Sequence, residues 1–125
     1  AAKKVVKKLN YSDVVLTTFR SKKNLSMGLV KINSKKKITS IIEYKNANSK
    51  DKKIDLCNSG MMGINQTNYK NIFKIKRNKI TKEYYLTDIV KISYEKNLLI
   101  NKISIKNNLA SRGINTIEEF NNLKK

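Results

Sequence analysis

Short β-branched apolar runs alternate along this chain with segments whose apolar residues fall at helical spacing. That alternation points to the α/β class, with part of the sheet connected by a hairpin. Asp13–Phe19 (DVVLTTF) is apolar, β-branched and bounded by polar residues, and predicts a buried strand. Leu29–Ile32 and Ile38–Tyr44 flank the turn Asn33–Lys36 and predict a β-hairpin. Strand alternation in its second arm puts Ile38, Ser40 and Ile42 on one face and Thr39, Ile41 and Glu43 on the other. Leu98–Ile105 is a further strand candidate. Helical spacing is predicted for Ala1–Asn10 through Val5, Val6 and Leu9, and within Asn65–Ile80 through Tyr69, Ile72, Phe73 and Ile75. Leu86, Ile89, Val90 and Tyr94 predict a helix from near Thr87 to about Lys96. Lys45–Lys53 is polar, with a helical turn after Ser49; Asn107–Gly113 is a loop, and Ile117–Leu123 a short final helix with Glu118 and Glu119 in its first turn. The chain contains no proline, no internal repeat and no low-complexity linker, so its 125 residues are expected to form one modest domain or part of a larger one.

Three places depart from plain patterning. Asp55–Ile64 (DLCNSGMMGI) starts and ends like a strand but carries Asn58-Ser59-Gly60 in its middle. Such residues weaken a strand interior and suggest a bulge or a backbone closely approached by a ligand. The Asn58 amide there either satisfies neighbouring backbone or reads a ligand's polar edge. Lys82–Val90 (KEYYLTDIV) places two tyrosines, a threonine and an aspartate at a helix entrance. Thr87 can cap that helix, and the macrodipole favours the negative charge of Asp88, so packing, capping and ligand contact are all open. Glu43, a lone acid on the same face as Ile41, is either a solvated strand end or a functional group.

Composition removes several classes of chemistry. With no histidine, every mechanism that needs an imidazole from this chain is excluded, including Ser-His-Asp and Cys-His arrangements. A single cysteine, Cys57, leaves no internal disulfide framework and suits a reducing, cytoplasmic setting. No apolar run approaches the ~20 residues of a membrane span, and the basic N-terminus does not read as a signal peptide. The formal charge of +19 resembles a nucleic-acid footprint at first sight. Arginine, however, occurs only at Arg20, Arg77 and Arg112, and the lysines are scattered singly and in short groups. Arginine is the preferred residue for bidentate phosphate and base contacts. The charge therefore reads as a solvated basic surface, and nucleic acid is not expected as a partner. Abundant lysine, asparagine and isoleucine also match the coding bias of an AT-rich genome.

Four segments, taken together, resemble one family: SMGLVKINSKKKITSIIEYKNA (Ser26–Ala47), LCNSGMMGI (Leu56–Ile64), KEYYLTDIV (Lys82–Val90) and RGINTIEEF (Arg112–Phe120). Their order and spacing are similar to the C-terminal part of the pyrophosphorylase domain of bacterial bifunctional N-acetylglucosamine-1-phosphate uridylyltransferase, a sugar nucleotidyltransferase. The resemblance runs from Asp13 to about Leu123. It implies an α/β fold, a partial Rossmann-like mixed sheet forming the sugar-binding half of a nucleotidyltransferase domain over residues 1–125. It further implies that the backbone of Gly28 lies against the sugar and that Glu43 and Asn58 contact it. Tyr85 and Thr87 would lie beside the sugar and its phosphate, and Asn115 would help bind Mg²⁺. The implied substrates are UTP and N-acetylglucosamine-1-phosphate, giving UDP-N-acetylglucosamine and pyrophosphate. A neutral polyol suits carboxylate and amide partners, and a hard cation suits oxygen ligands.

The sequence departs from the family pattern in two places. The family's GYGR turn is Ser26-Met27-Gly28-Leu29 here. The glycine-rich phosphate loop, the uridine-reading segments and the second metal-binding aspartate are also missing; the chain has only four glycines. The expectation is a sugar-facing half that is inactive alone. The family forms homotrimers through an acetyltransferase domain that this chain does not contain. Two other readings are a nucleotidyltransferase for another sugar phosphate and a small lysine-rich nucleic-acid-binding module.

Overall fold

The computed structural model describes residues 2–22 and 27–105. The predicted loop at 107–113, the helix at 117–123 and Asn115 lie outside the described residues. Helix α1 (Ala2–Lys8) continues into a 3-10 turn, Leu9–Tyr11, and leads to strand β1 (Val14–Arg20). The hairpin follows as β2 (Gly28–Ile32) and β3 (Ile38–Glu43), then β4 (Leu56–Ile64), helix α2 (Asp88–Glu95) and β5 (Ile100–Ser104). The sheet order is β3-β2-β4-β1-β5. Among the described residues only the β1–β5 pair is parallel; the other pairs are antiparallel, so the sheet is mixed. Predicted and observed strands agree to within a residue or two; β1 and the hairpin do so because they are rich in β-branched apolar residues.

Alternation along the strands sorts the apolar residues onto two faces. Val14, Leu16, Val30, Ile41 and Leu56 form one buried cluster with Ile89 and Val90 of α2. On the opposite face α1 packs through the buried Val5, which with Leu9 leaves no room for a side chain at Gly63. Burying residues such as Leu16, Leu29 and Ile89 is worth about 1.5–3 kcal/mol each.

Two expectations change. Strand alternation puts Ile38 and Ile41 on opposite faces of β3, yet both enter the same core cluster. The register shifts between Lys31↔Ser40 and Ile32↔Ile38, and the irregularity turns Ile38 inward. The second change concerns residues 66–74, which form a 3-10 helix rather than an α-helix. Its three-residue period brings Asn68 and Asn71 inside, while Tyr69 and Phe73, which suggested the helical spacing, are exposed and stack edge to face.

The bulge expected at Asn58-Ser59-Gly60 is present. Leu16 pairs with Met62 and Thr18 with Asn58, so Thr17 alone stands against residues 59–61. Gly60 has φ +100°, a conformation open to glycine at little cost. The Thr17 hydroxyl bonds to the Ser59 hydroxyl and donates to the Met61 carbonyl at 2.8 Å, clamping the extra residues.

Candidate functional site

Three residues from separate sequence segments meet in one transverse row of the sheet. Glu43 of β3 pairs with Gly28 of β2, and Gly28 pairs with Asn58 of β4. Directly paired residues share a face, and this face is the one α2 covers, since Ile41, Val30 and Leu56 on it belong to the α2 cluster. The row continues through Thr18 of β1 to Ser104 of β5. Apolar side chains fill the sheet under α2 and give way to this polar row. It lies toward the carboxyl ends of the parallel pair β1 and β5, where open α/β sheets bind ligands.

Gly28 keeps the row shallow. A Cβ there would stand 3.7 Å from both Asn58 Cβ and Glu43 Oε1, and 2.7 Å from Ile41 Cγ2. Glu43 is half-buried and accepts a hydrogen bond from Thr87 Oγ1 at 3.3 Å. Thr87 does not cap α2 with its side chain. The preceding turn explains why: the N–H groups of Asp88, Ile89 and Val90 already donate to the carbonyls of Tyr85, Leu86 and Thr87. These bonds leave the helix start without the usual orphan donors, and the Thr87 hydroxyl turns to Glu43 instead. A phosphate at this entrance could not use those three amides.

Tyr85 stands at the rim. Its hydroxyl donates to Thr81 Oγ1 at 2.9 Å, and the Lys45 ammonium lies 5.8 Å from its ring centroid. Hydrogen bonding to Tyr85, then to Glu83 at 3.3 Å, holds the Lys45 pKa above its ordinary value of 10.5. Tyr85, Glu43, Asn46 and Asp88 line a cavity of about 470 Å³ between β3 and α2. Burial raises the pKa of Asp88 above its ordinary value of 3.8, with Lys91 pulling the other way.

Thus the structure gathers Gly28, Glu43, Asn58 and Thr87, and places Tyr85 beside Glu43 across the cavity. Thr18, read from sequence only as a strand residue, joins the row as the register partner of Asn58. Nothing in DVVLTTF distinguished it from Thr17. Among the described residues no group of three or more carboxylate, cysteine or histidine side chains could hold a metal ion.

No family model matches the chain. Its backbone superposes on a nucleoside-diphosphate-sugar pyrophosphorylase from Vibrio cholerae with a TM-score of 0.61 at 19% identity, over 79% of this chain and 41% of the other. A Bacillus anthracis structure described as a glucose-1-phosphate thymidylyltransferase gives 0.58 at 19% identity, over 95% and 52%. The fold is that of the sugar nucleotidyltransferases, with a mixed five-stranded sheet.

The sequence relatives are bacterial bifunctional GlmU proteins. The chain is 33% identical to that of Campylobacter fetus over 97 residues, covering 77% of this chain and 22% of the relative. It is 35% identical to that of Buchnera aphidicola over 116 residues, covering 92% and 25%. Over this stretch the chain is similar to the GlmU proteins, and it spans about a quarter or less of the relatives' length.

Proposed function

We propose that the chain supplies the sugar-phosphate side of a uridylyltransferase that makes UDP-N-acetylglucosamine and pyrophosphate from UTP and N-acetylglucosamine-1-phosphate. The observation that carries the reading is the row Glu43–Gly28–Asn58 with Thr87 bonded to Glu43. Residues far apart in sequence assemble there into an acceptor carboxylate, an amide and a glycine between them. That donor and acceptor set suits a neutral polyol, and the GlmU relatives support the choice of sugar. In this reading Glu43 accepts from sugar hydroxyls and Asn58 orients the ring. Thr87 holds the carboxylate in place, and Tyr85 closes the rim beside the phosphate. The reaction needs no protein nucleophile; it works by alignment and charge stabilisation. Asn115 is proposed as the one Mg²⁺-binding residue of this chain, with the other ligands coming from outside it. The ion would offset charge on the transferring phosphates.

Calorimetric titration of the chain with N-acetylglucosamine-1-phosphate tests the sugar side, with glucose-1-phosphate as comparison. The former is expected to bind more tightly, and Glu43→Gln to weaken it about 10-fold or more, as a hydrogen bond to a charged group is worth about 1.5–3 kcal/mol. Equal binding of both sugars, or an unchanged Glu43→Gln variant, would overturn the assignment. With UTP and Mg²⁺ added, the isolated chain is expected to release no appreciable pyrophosphate.

A further inference from the structure

Thr17 and Thr18 are adjacent, both are fully buried, and they face opposite sides of β1. The Thr17 hydroxyl is fully engaged by the bulge. Thr18 Oγ1, by contrast, has no hydrogen-bond partner. Its register partner across the ladder is Asn58. Asn58 is only 7% exposed, and its Oδ1 is also buried without a partner. Leaving one such atom unpaired costs about 1–3 kcal/mol, so two on facing positions call for an explanation. The two are chemically complementary: a hydroxyl can donate and an amide oxygen can only accept. Paired positions on neighbouring strands bring their Cβ atoms to about 5 Å, within reach of a bond after a small side-chain rotation.

We propose that Thr18 is a positioning residue for Asn58: its hydroxyl donates to Asn58 Oδ1 when the sugar site fills, which fixes the carboxamide with Nδ2 facing the ligand. Nothing among the described residues binds that Nδ2, so it is the donor available to a sugar oxygen. Gly28, next along the row, brings no side chain of its own between Asn58 and Glu43. Thr18 therefore acts on the ligand through the amide. This assignment rests on the sugar-phosphate reading of the row.

The test combines affinity and stability in Thr18→Val, Thr18→Ser, Asn58→Ala and the double variant Thr18→Val/Asn58→Ala, with Glu43→Gln as control. Valine matches threonine in shape and deletes only the hydroxyl. Thr18→Val is expected to bind N-acetylglucosamine-1-phosphate about 3- to 10-fold more weakly, the worth of one neutral hydrogen bond, while Thr18→Ser stays near wild type. In the Asn58→Ala background the same change is expected to have no further effect, because its target is gone. Thermal stability of ligand-free Thr18→Val is expected to match or exceed wild type, since an unpaired buried hydroxyl has been removed. Equal losses in both backgrounds would overturn the proposal, as would wild-type affinity or a marked stability loss in ligand-free Thr18→Val. The last result would mean the hydroxyl is already satisfied, by an ordered water for example. If Glu43→Gln weakens binding and Thr18→Val does not, this inference alone fails. If the wild-type chain binds no sugar phosphate, the sugar reading fails and takes this inference with it.

Discussion

At Gly28 the missing side chain lets β2 and β3 close over Ile41. A Cβ would meet Ile41 Cγ2 at 2.7 Å, and Ile41 is itself buried. Gly28→Ala is therefore expected to destabilise the fold by about 1–3 kcal/mol through overpacking, read as a lower midpoint in thermal denaturation. Asp88 gives a prediction with a definite sign in pH. Burial lifts its carboxyl above 3.8, so above that pH the folded chain still holds a proton that the unfolded chain has released. Its contribution to stability accordingly falls as pH rises from 3.8 through the folded value. Asp88→Asn is expected to flatten that part of the profile of denaturant midpoint against pH; identical slopes in variant and wild type would refute it. Glu43 shows how environment decides a residue's part. On its strand it was one acid near an end, and only the Thr87 hydroxyl and the row gave it a setting.

Two elements carry consequences that their local sequence concealed. In the 3-10 segment Gln66–Lys74 a three-residue period lines up Asn65, Asn68 and Asn71. Asn65 Nδ2 donates to the Leu9 carbonyl at 2.9 Å, tying this segment to the N-terminal turn. Asn68 is 1% exposed, donates to Ser93 Oγ at 3.0 Å and accepts from Asn71 Nδ2 at 2.6 Å. This short polar network joins the segment to α2. Asn68→Ala would strip partners from both neighbours, and a loss of about 2–3 kcal/mol in chemical denaturation is expected. Tyr69→Ala, on the exposed side, is expected to change stability by less than about 1 kcal/mol. The bulge in β4 has the opposite history, since Asn58-Ser59-Gly60 announced it and the structure shows what it serves. It lets Asn58 face the row while Thr17 secures the extra residues behind.

Over the whole molecule the sheet is unevenly knitted. β4 pairs with β1 along its length, but among the described residues its other side meets β2 only at Cys57 and Asn58. Among the described residues, 59–64 of β4 have no strand partner on that side, and Met61 there is 44% exposed. An open edge invites pairing with a second chain, and a net charge of +19 opposes it. Added salt screens that repulsion, so the mass seen by light scattering is expected to rise from low to high ionic strength. Binding driven by phosphate contacts would weaken over the same change. A mass that stays constant or falls would show that the edge is covered.

The sequence determined the kinds of element and their order, because β-branched runs and turn residues act locally: β1, the hairpin, α2 and β5 all lie where their patterns place them. It also marked Gly28, Glu43, Asn58, Tyr85 and Thr87, through resemblance to a family rather than through their own chemistry. What only the tertiary structure decided were matters of register. Pairing across β3, β2, β4 and β1 brought Glu43, Gly28, Asn58 and Thr18 into one row. A shift of one position would have turned each strand's polar residue to the other face. The turn ahead of α2 took the helix's first amides and so released Thr87 to Glu43. Hydrogen bonds between segments up to 44 residues apart set these outcomes, and no local pattern in the chain encodes them.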